Sequence, residues 1–331
     1  MNYTILGTGS YLPERVVTNA DMEKLVDTSD EWIRTRTGIK TRHYSTGETG
    51  WYMALQACQR ALEAAQMSPK DIDAIFVSSA TPDYMVPSTS CILQGELGAE
   101  NAFAIDINVA CAGYIYVMDM AARYLASPNI NHVLVVSTEQ LTARTNFNDR
   151  NTCVLFGDAA SATVVGKEGS GEILTSILGA DGTGGHLLVS KNFDPENPFL
   201  EADWQERWPD RFEGHIQKLY MNGAEVYRFA VRKMSGMIKD MVAEVGLTIE
   251  DIDYMIPHQA NTRILEAAAK RLKFPMEKMY TGIEKMGNTS SAGLGVGIDE
   301  CVRTGTIKSG DLVAMSGFGG GLTYGALLLR I

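Results

Sequence analysis

A chain of 331 residues with 45% hydrophobic content can bury a large core, as one big domain or as two fused halves. Its net charge of −11 argues against nonspecific nucleic-acid binding, and any anionic partner must be met by a local basic patch. No run approaches the roughly 18 to 20 apolar residues that a membrane helix needs, and the opening MNYTILGTGS lacks the layout of a secretion signal, so a soluble cytoplasmic protein with no membrane partner is expected.

Residues 5–19 (ILGTGSYLPERVVTN) read as a strand and a Gly/Ser/Pro turn. Gly7-Thr8-Gly9 looks like part of a dinucleotide fingerprint, but Pro13 follows and no third glycine opens a helix. Residues 28–43 (TSDEWIRTRTGIKTRH) place Arg34, Arg36, Lys40 and Arg42 around an exposed-looking Trp32. A flat aromatic beside guanidinium groups suits a nucleotide, with the base stacked and the phosphates paired; the plainer alternative is a solvated basic segment. Residues 52–66 are alanine-rich and helical, and 71–83 (DIDAIFVSSATPD) run into a strand and a proline turn.

Residues 103–109 form a short, largely apolar run with strand character that ends at Ala110-Cys111-Ala112-Gly113. Ile115, Met118, Ala122 and Leu125 then recur at helical spacing, so Cys111 falls where a buried strand turns into a buried helix. Unpaired N–H groups and the helix dipole favour a thiolate there over the thiol, which titrates near about 8.5 when unperturbed. The alternative is an inert buried cysteine. The five cysteines (58, 91, 111, 153, 301) are scattered and lack C-x-x-C spacing, which supports neither a disulfide framework nor a metal site.

A second helix, with Val226, Phe229, Ala230, Met234, Ile238 and Met241 on one face, leads into residues 251–261 (DIDYMIPHQAN). Asp71 and Asp251 stand 180 residues apart, and at both places a helix and a short linker precede Asp-Ile-Asp and an apolar strand. Likewise 133–139 then 157–166 echo 311–321 then 323–331. Repeats of this length predict two similar α/β halves, 1–170 and 171–331, and place the Cys111 turn opposite residues 287–293 (GNTSSAG). Sites often form where such halves meet. Between the halves, residues 181–222 are irregular, Gly-rich and then acidic, with Trp204, Trp208 and prolines 195, 198 and 209. That is too long for a plain connection, and reads as a lid or wall beside a pocket, or as a surface excursion packed on its own aromatics.

His258 follows the apolar strand IDYMI, placed for proton transfer or for donating a hydrogen bond to a developing oxyanion. Asn288, in a Gly-Asn-Thr-Ser turn, is an uncharged donor suited to the same task. Histidines also cap strands and Gly-Asn is a common turn. The repeat strengthens both, because it brings the Cys111 and Asn288 turns into equivalent places.

With these stretches in view, the sequence resembles the thiolase-fold condensing enzymes, and most closely the β-ketoacyl-acyl carrier protein synthase III family, over essentially its whole length: ILGTGSYLPERVVTN, TSDEWIRTRTGI, TPDYMVPS, the Cys111 stretch, PHQANTRI, GNTSSAG and SGFGGGLTYGALLLRI. The resemblance implies an α/β thiolase-like fold, two similar halves from an internal duplication stacked as an α-β-α-β-α sandwich. A Cys-His-Asn set differs from the Cys-His-His set of elongating synthases, and Gly319-Gly320-Gly321 stands where thiolases carry a second cysteine. The family's ping-pong reaction would load Cys111 from acyl-CoA, with the oxyanion held by the N–H groups of Cys111 and Gly320. It would then condense the acyl group with malonyl-acyl carrier protein, His258 and Asn288 stabilising the enolate. No metal or redox cofactor is implied; acyl-CoA is a substrate. By family likeness Trp32 stacks on the CoA adenine, Arg36 and Arg150 flank the nucleotide, Thr28 lies near the same end, and Asn261 lines the pantetheine tunnel. A carrier-protein surface would use Arg228, Arg263, Lys270 and Arg271, with Lys273 beside them. A homodimer is implied, in which the residue before Pro87 closes the partner's acyl pocket; many relatives have Phe there, whereas Val86 is smaller and predicts room for a longer or branched primer.

Other readings stay open at this point. Specialised relatives prime a polyketide, quinolone-like or other secondary pathway, or transfer an acyl group to an alcohol or amine. Papain-like hydrolases share the chain order Cys, His, Asn, but their C-G-S-C-W-type signature is absent. A noncatalytic scaffold would have no need of Cys111, His258 and Asn288 together.

Overall fold

The computed structural model describes residues 3–192, 197–207, 212 and 218–331. One sheet is built from β1 (Thr4–Tyr11), β2 (Ala74–Ser78), β3 (Phe103–Ile107), β4 (His132–Gln140) and β5 (Asp158–Gly166), ordered β1-β5-β4-β2-β3. The other is built from β6 (Glu172–Ala180), β7 (Tyr254–Pro257), β8 (Leu312–Gly319) and β9 (Thr323–Arg330), ordered β6-β9-β8-β7. The first four positions of the two sheets match strand for strand, and the senses match as well: antiparallel, antiparallel, then parallel. β3 extends the first sheet by one further parallel pairing.

The duplicated Asp-Ile-Asp has a physical cause at each aspartate. Asp71 closes a capping box with Ser68, and Asp251 closes the same box with Thr248, so both turns end a helix-to-strand linker in one geometry. Two residues on, Asp73 accepts the N–H of His132 at 3.1 Å and Asp253 accepts that of Leu312 at 2.8 Å. His132 opens β4 and Leu312 opens β8, so each aspartate ties the start of its own strand to the start of the neighbouring one.

Strand alternation then sets the layers. Phe76, Val133 and Val135 of the first sheet and Val313, Met315 and Leu327 of the second pack into one core with the helices Gly113–Leu125 and Ala292–Arg303. In chain order the helices that matter here are α1 (Asp30–Thr37), α2 (Gly50–Ala65), α3 (Gly113–Leu125), α4 (Gly223–Glu244), α5 (Thr262–Leu272) and α6 (Ala292–Arg303). The intervening strand residues face the other way: Ile75, Val77, Leu134 and Val136 meet α2, and Met255, Leu312, Ala314 and Leu328 meet α4 and α5. The result is helix, sheet, helix pair, sheet, helix, the five-layered α/β sandwich of the thiolase-like fold.

Gly7 and Gly9 are accounted for by packing rather than by a nucleotide. A Cβ at either would lie 2.4 Å from a carbonyl oxygen of α2, so β1 needs glycine to reach that helix. Among the described residues no helix is long and apolar enough to cross a membrane.

Candidate active site

Cys111 lies in a single 3-10 turn, Ala110–Ala112, between β3 and the start of α3. Gly113 lets this turn settle on the first sheet, since a Cβ there would collide with the Ser78 hydroxyl. Gly319 lets it settle on the second, since a Cβ there would stand 2.5 Å from the Cys111 nitrogen. The turn at residues 287–291 precedes α6 as the Cys111 turn precedes α3, and the two meet beneath one cavity.

His258 follows β7 directly. Its N–H donates to Ser316 at 2.7 Å and its ring meets Phe318 edge-on at 5.2 Å. The ring is buried, Nδ1 has no hydrogen-bond partner among the described residues, and burial holds its pKa down at about 4, with the Ser290 backbone acting in the opposite sense. It is a neutral imidazole at neutral pH. Asn288 is fixed by its backbone to the first half, donating to Leu155 at 2.8 Å and accepting from Gly157 at 3.0 Å. Its Oδ1 accepts the Ser290 N–H at 2.9 Å, which leaves the amide N–H₂ as the group free to serve the cavity.

The sulfur departs from the sequence expectation. Burial pushes the Cys111 thiol up to about 12; the Ser290 hydroxyl opposes the shift and the Glu139 carboxylate adds to it. Desolvation outweighs the helix N-terminus, and the resting group is a thiol rather than a thiolate.

The cavity occupies about 1320 Å³. Cys111, His258, Asn288, Ser290 and Gly320 line its inner part, and Trp32, Arg36, Arg228, Asn261 and Arg263 also line it. At Trp32 the guanidinium carbons of Arg36 and Arg150 lie 4.5 and 4.9 Å from the ring centre. Arg150 does not itself line the cavity; it donates to the Asp27 carbonyl at 2.8 Å, next to Thr28, whose buried hydroxyl has no partner among the described residues. The basic segment is less uniform than its sequence implies. Arg34 pairs with Asp30 and Lys40 with Glu284, while Arg42 is fully buried, donating to the Val17 and Val154 carbonyls and to Asn19. Arg42 therefore belongs to the core and not to the group around Trp32, because strand Thr41–Tyr44 turns it inward.

Asn261 caps α5 through the Arg263 N–H and donates to the Arg36 carbonyl at 2.9 Å, so both ends of its amide are committed where it borders the cavity. Lys270 and Arg271 are exposed on α5; Arg271 lines a neighbouring groove together with Arg228 and Arg232. Arg228 is itself paired with Glu225. Val86 is 86% exposed, on a loop with Tyr84 and Met85, and does not line the cavity of its own chain. The described ends of the 181–222 segment form cavity wall: Leu188–Val189 pairs with Tyr220–Met221, and all four residues face the space. Trp208, Pro195 and Pro209 lie outside the described residues.

Glu139 and Ser290 escaped sequence reasoning. Glu139, one residue before the end of the apolar strand β4, is fully buried, accepting from Ala80 N–H at 3.1 Å, Thr81 Oγ1 at 3.0 Å, Ser290 Oγ at 3.0 Å and Ser291 Oγ at 2.9 Å. Its sole sequence signal is an acidic residue inside an otherwise uncharged run, VLVVSTEQ.

A five-layered duplicated sandwich whose cavity is lined by Cys111 at a helix start, by His258 and by Asn288 has the architecture of the thiolase-like condensing enzymes. Residues 105–182 match the family model for 3-oxoacyl-[acyl-carrier-protein] synthase III, and residues 242–331 match that for its C-terminal part. The chain is 47% identical to the β-ketoacyl-[acyl-carrier-protein] synthase III of Caldanaerobacter subterraneus subsp. tengcongensis, covering 98% of this chain and 97% of that one. It is 46% identical to the Oceanobacillus iheyensis enzyme of the same name, covering 100% and 99%. The crystal structure of 3-oxoacyl-[acyl-carrier-protein] synthase III from Aquifex aeolicus superposes with a TM-score of 0.91 at 41% identity, covering 99% and 100%. The chain belongs to the β-ketoacyl-acyl carrier protein synthase III family, and is thus an acyl-transferring condensing enzyme of the type that initiates fatty acid synthesis.

Proposed function

We propose that Cys111 is the nucleophile that accepts an acyl group from acyl-CoA, and that His258 and Asn288 then serve condensation with malonyl-acyl carrier protein. The observation that carries this reading is the pairing of two uncharged hydrogen-bond donors with a buried sulfur in one cavity: His258 held neutral by burial, and Asn288 with its oxygen occupied by Ser290. In the first half-reaction the Cys111 sulfur attacks the thioester carbon, and the proton of its thiol ends on the CoA sulfur that departs. The N–H groups of Cys111 and Gly320 receive the oxyanion, and collapse expels CoA. The Gly320 carbonyl accepts the Thr323 hydroxyl at 3.0 Å, which holds that segment of the glycine run in place. In the second half-reaction, loss of CO₂ from the malonyl group leaves an enolate whose oxygen is met by His258 and the Asn288 amide. Neutral donors suit a charge that exists only during the reaction. The enolate carbon attacks acyl-Cys111, and the β-ketoacyl product leaves on the carrier protein.

Trp32, flanked by Arg36 and Arg150 and with Thr28 close by, is the proposed seat of the CoA nucleotide, and the space bordered by Asn261 the path of its pantetheine arm. Arg228, Arg263, Lys270 and Arg271 at and beyond the mouth supply the positive surface that an acidic carrier protein requires in a chain of net charge −11. The exposed loop Tyr84, Met85, Val86 is the proposed contact with a second copy, where Val86 would border the partner's acyl pocket. The halves 1–170 and 171–331 would be units of an ancient duplication, as the matched strand orders support. Side chains and backbone donors account for every step, so no cofactor is proposed, and the site of action is the cytoplasm. Incubating the protein with acyl-CoAs of graded length and mapping the adduct by mass tests the reading: an acyl group on Cys111 supports it, and no adduct with any primer would remove it.

A further inference from the structure

The Ser290 hydroxyl has two neighbours that the reaction above leaves unexplained. On one side it shares the cavity with Cys111 and opposes the upward shift of that thiol, and on the other it donates to Glu139 Oε1 at 3.0 Å. Ser290 holds φ +52°, a conformation that residues other than glycine rarely adopt, at the apex of the turn that also carries Asn288. Glu139 has no ion-pair partner among the described residues and is wholly buried. A permanent carboxylate in that position would repel a thiolate, which is the opposite of what a nucleophilic cysteine needs.

We infer that Glu139 is a positioning residue that governs proton traffic at Cys111 through the Ser290 hydroxyl. The inference rests on Cys111 being the nucleophile. With Glu139 ionised, Ser290 donates to it and turns a lone pair to the thiol. The S–H proton passes to Ser290 Oγ as the Ser290 proton passes to Glu139 Oε1; the S–H and Oγ–H bonds break, and a new Oγ–H and an Oε1–H form. The negative charge moves from the carboxylate to the sulfur instead of being added beside it, and the reoriented Ser290 hydroxyl now donates to the thiolate. As the sulfur–carbon bond forms and the CoA thiolate is expelled, the proton returns along the same path to the departing sulfur. No other reactant is required. Burial holds the Glu139 carboxyl up at about 7 against its four hydrogen bonds, a range in which it can both take and release a proton.

The titratable groups around this path are few. The Cys111 turn contributes the thiol, β4 contributes Glu139, and the loop after β7 contributes His258 behind Ser290. The segment after β2 contributes only the Ala80 amide and the Thr81 hydroxyl, and Ser291 contributes a hydroxyl.

The test is the pH dependence of Cys111 alkylation by iodoacetamide in the full chain, with the adduct mapped by peptide mass because the exposed Cys91 reacts too. In the unsubstituted protein the rate should rise through a limb centred near the Glu139 ionisation. Glu139→Gln and Ser290→Ala should each lose that limb and slow alkylation by about 100-fold above it, as expected for removal of a proton acceptor. The double variant should be no slower than the slower single one, because both act on one path. Retention of the limb and the rate in a folded single variant, or losses that multiply in the double, would overturn the inference. Should Glu139→Gln fail to fold, Ser290→Ala decides alone, since it leaves three of the four bonds to Glu139 in place. Acylation by acyl-CoA is scored separately: a normal acyl adduct with an unaltered alkylation profile in Ser290→Ala removes this inference only, whereas no adduct on the unsubstituted protein removes the assignment of Cys111 itself.

Discussion

Gly319 lies flat against Cys111, so close that a Cβ at Gly319 would stand 2.5 Å from the Cys111 nitrogen. The strand β8 that ends in Gly319 belongs to the second half of the chain and the cysteine to the first, so this approach is where the two halves close over the proposed oxyanion site. Gly319→Ala should displace the Cys111 N–H and slow acylation by about 100-fold, the cost expected for one lost oxyanion donor. Stopped acylation reactions weighed by intact mass give the rate. An acylation rate unchanged by the alanine would show that the Cys111 N–H takes no part.

Val86 carries the proposed breadth of primer choice. In the proposed dimer a phenylalanine in its place would fill the space that valine would leave in the partner's acyl pocket. Val86→Phe should therefore lower kcat/KM for branched and longer acyl-CoA by about tenfold or more while sparing acetyl-CoA, a range typical of steric selection in apolar pockets. Competition between acyl-CoAs in one reaction reads the ratio directly. An unsubstituted protein that accepts only acetyl-CoA would contradict the argument.

Trp32, with two guanidinium groups within 5 Å of its ring centre, is a platform built before any ligand arrives. Trp32→Ala should raise KM for acyl-CoA by about tenfold and leave kcat nearly unchanged, because a remote contact shared by ground state and transition state affects binding alone. A fall in kcat with KM unchanged would place Trp32 elsewhere in the reaction.

The neutral state of His258 has a signature in stability. Its folded pKa of about 4 lies below the unfolded value of 6.5, so its contribution is fully present above pH 6.5 and is lost as the pH falls toward 4. The size is on the order of 3 kcal/mol. Glu139, raised from 4.5 to about 7, runs the other way, with its contribution present below 4.5 and lost as the pH rises through 7. The two oppose each other over the same range, so the histidine term is read by difference. Urea denaturation of the protein and of His258→Gln across this range should give a stability difference that shrinks as the pH falls from 6.5 to 4. A constant difference would mean that His258 titrates normally in the fold.

Much of this arrangement was legible in the sequence because its causes are local. Asp71 and Asp251 cap equivalent turns, Asp73 and Asp253 tie equivalent pairs of strands, and the repeat they form predicts both the duplication and the meeting of the Cys111 and Asn288 turns. Other features were hidden because their causes are distant. The protonation of Cys111 depends on desolvation by elements from both halves, which outweighs the helix start visible in its own segment. Arg42 reads as one of four surface cations, and only the carbonyls of Val17 and Val154 reveal it as a core residue. Glu139 is silent for the same reason: its four donors come from residues 80–81 and 290–291, and no spacing in the chain announces them. Trp32 lay between these cases, its basic neighbour Arg36 visible four residues on and Arg150 brought in by the fold.

The most direct test of the whole account is a single turnover in two stages. The acyl-enzyme is first prepared with a preferred acyl-CoA and freed of excess primer; malonyl-acyl carrier protein is then added and both proteins are weighed. Cys111 should lose its acyl mass as the carrier protein gains a β-ketoacyl group, and Asn288→Ala and His258→Ala should acylate but not discharge. An acyl-enzyme that malonyl-acyl carrier protein leaves intact would contradict it.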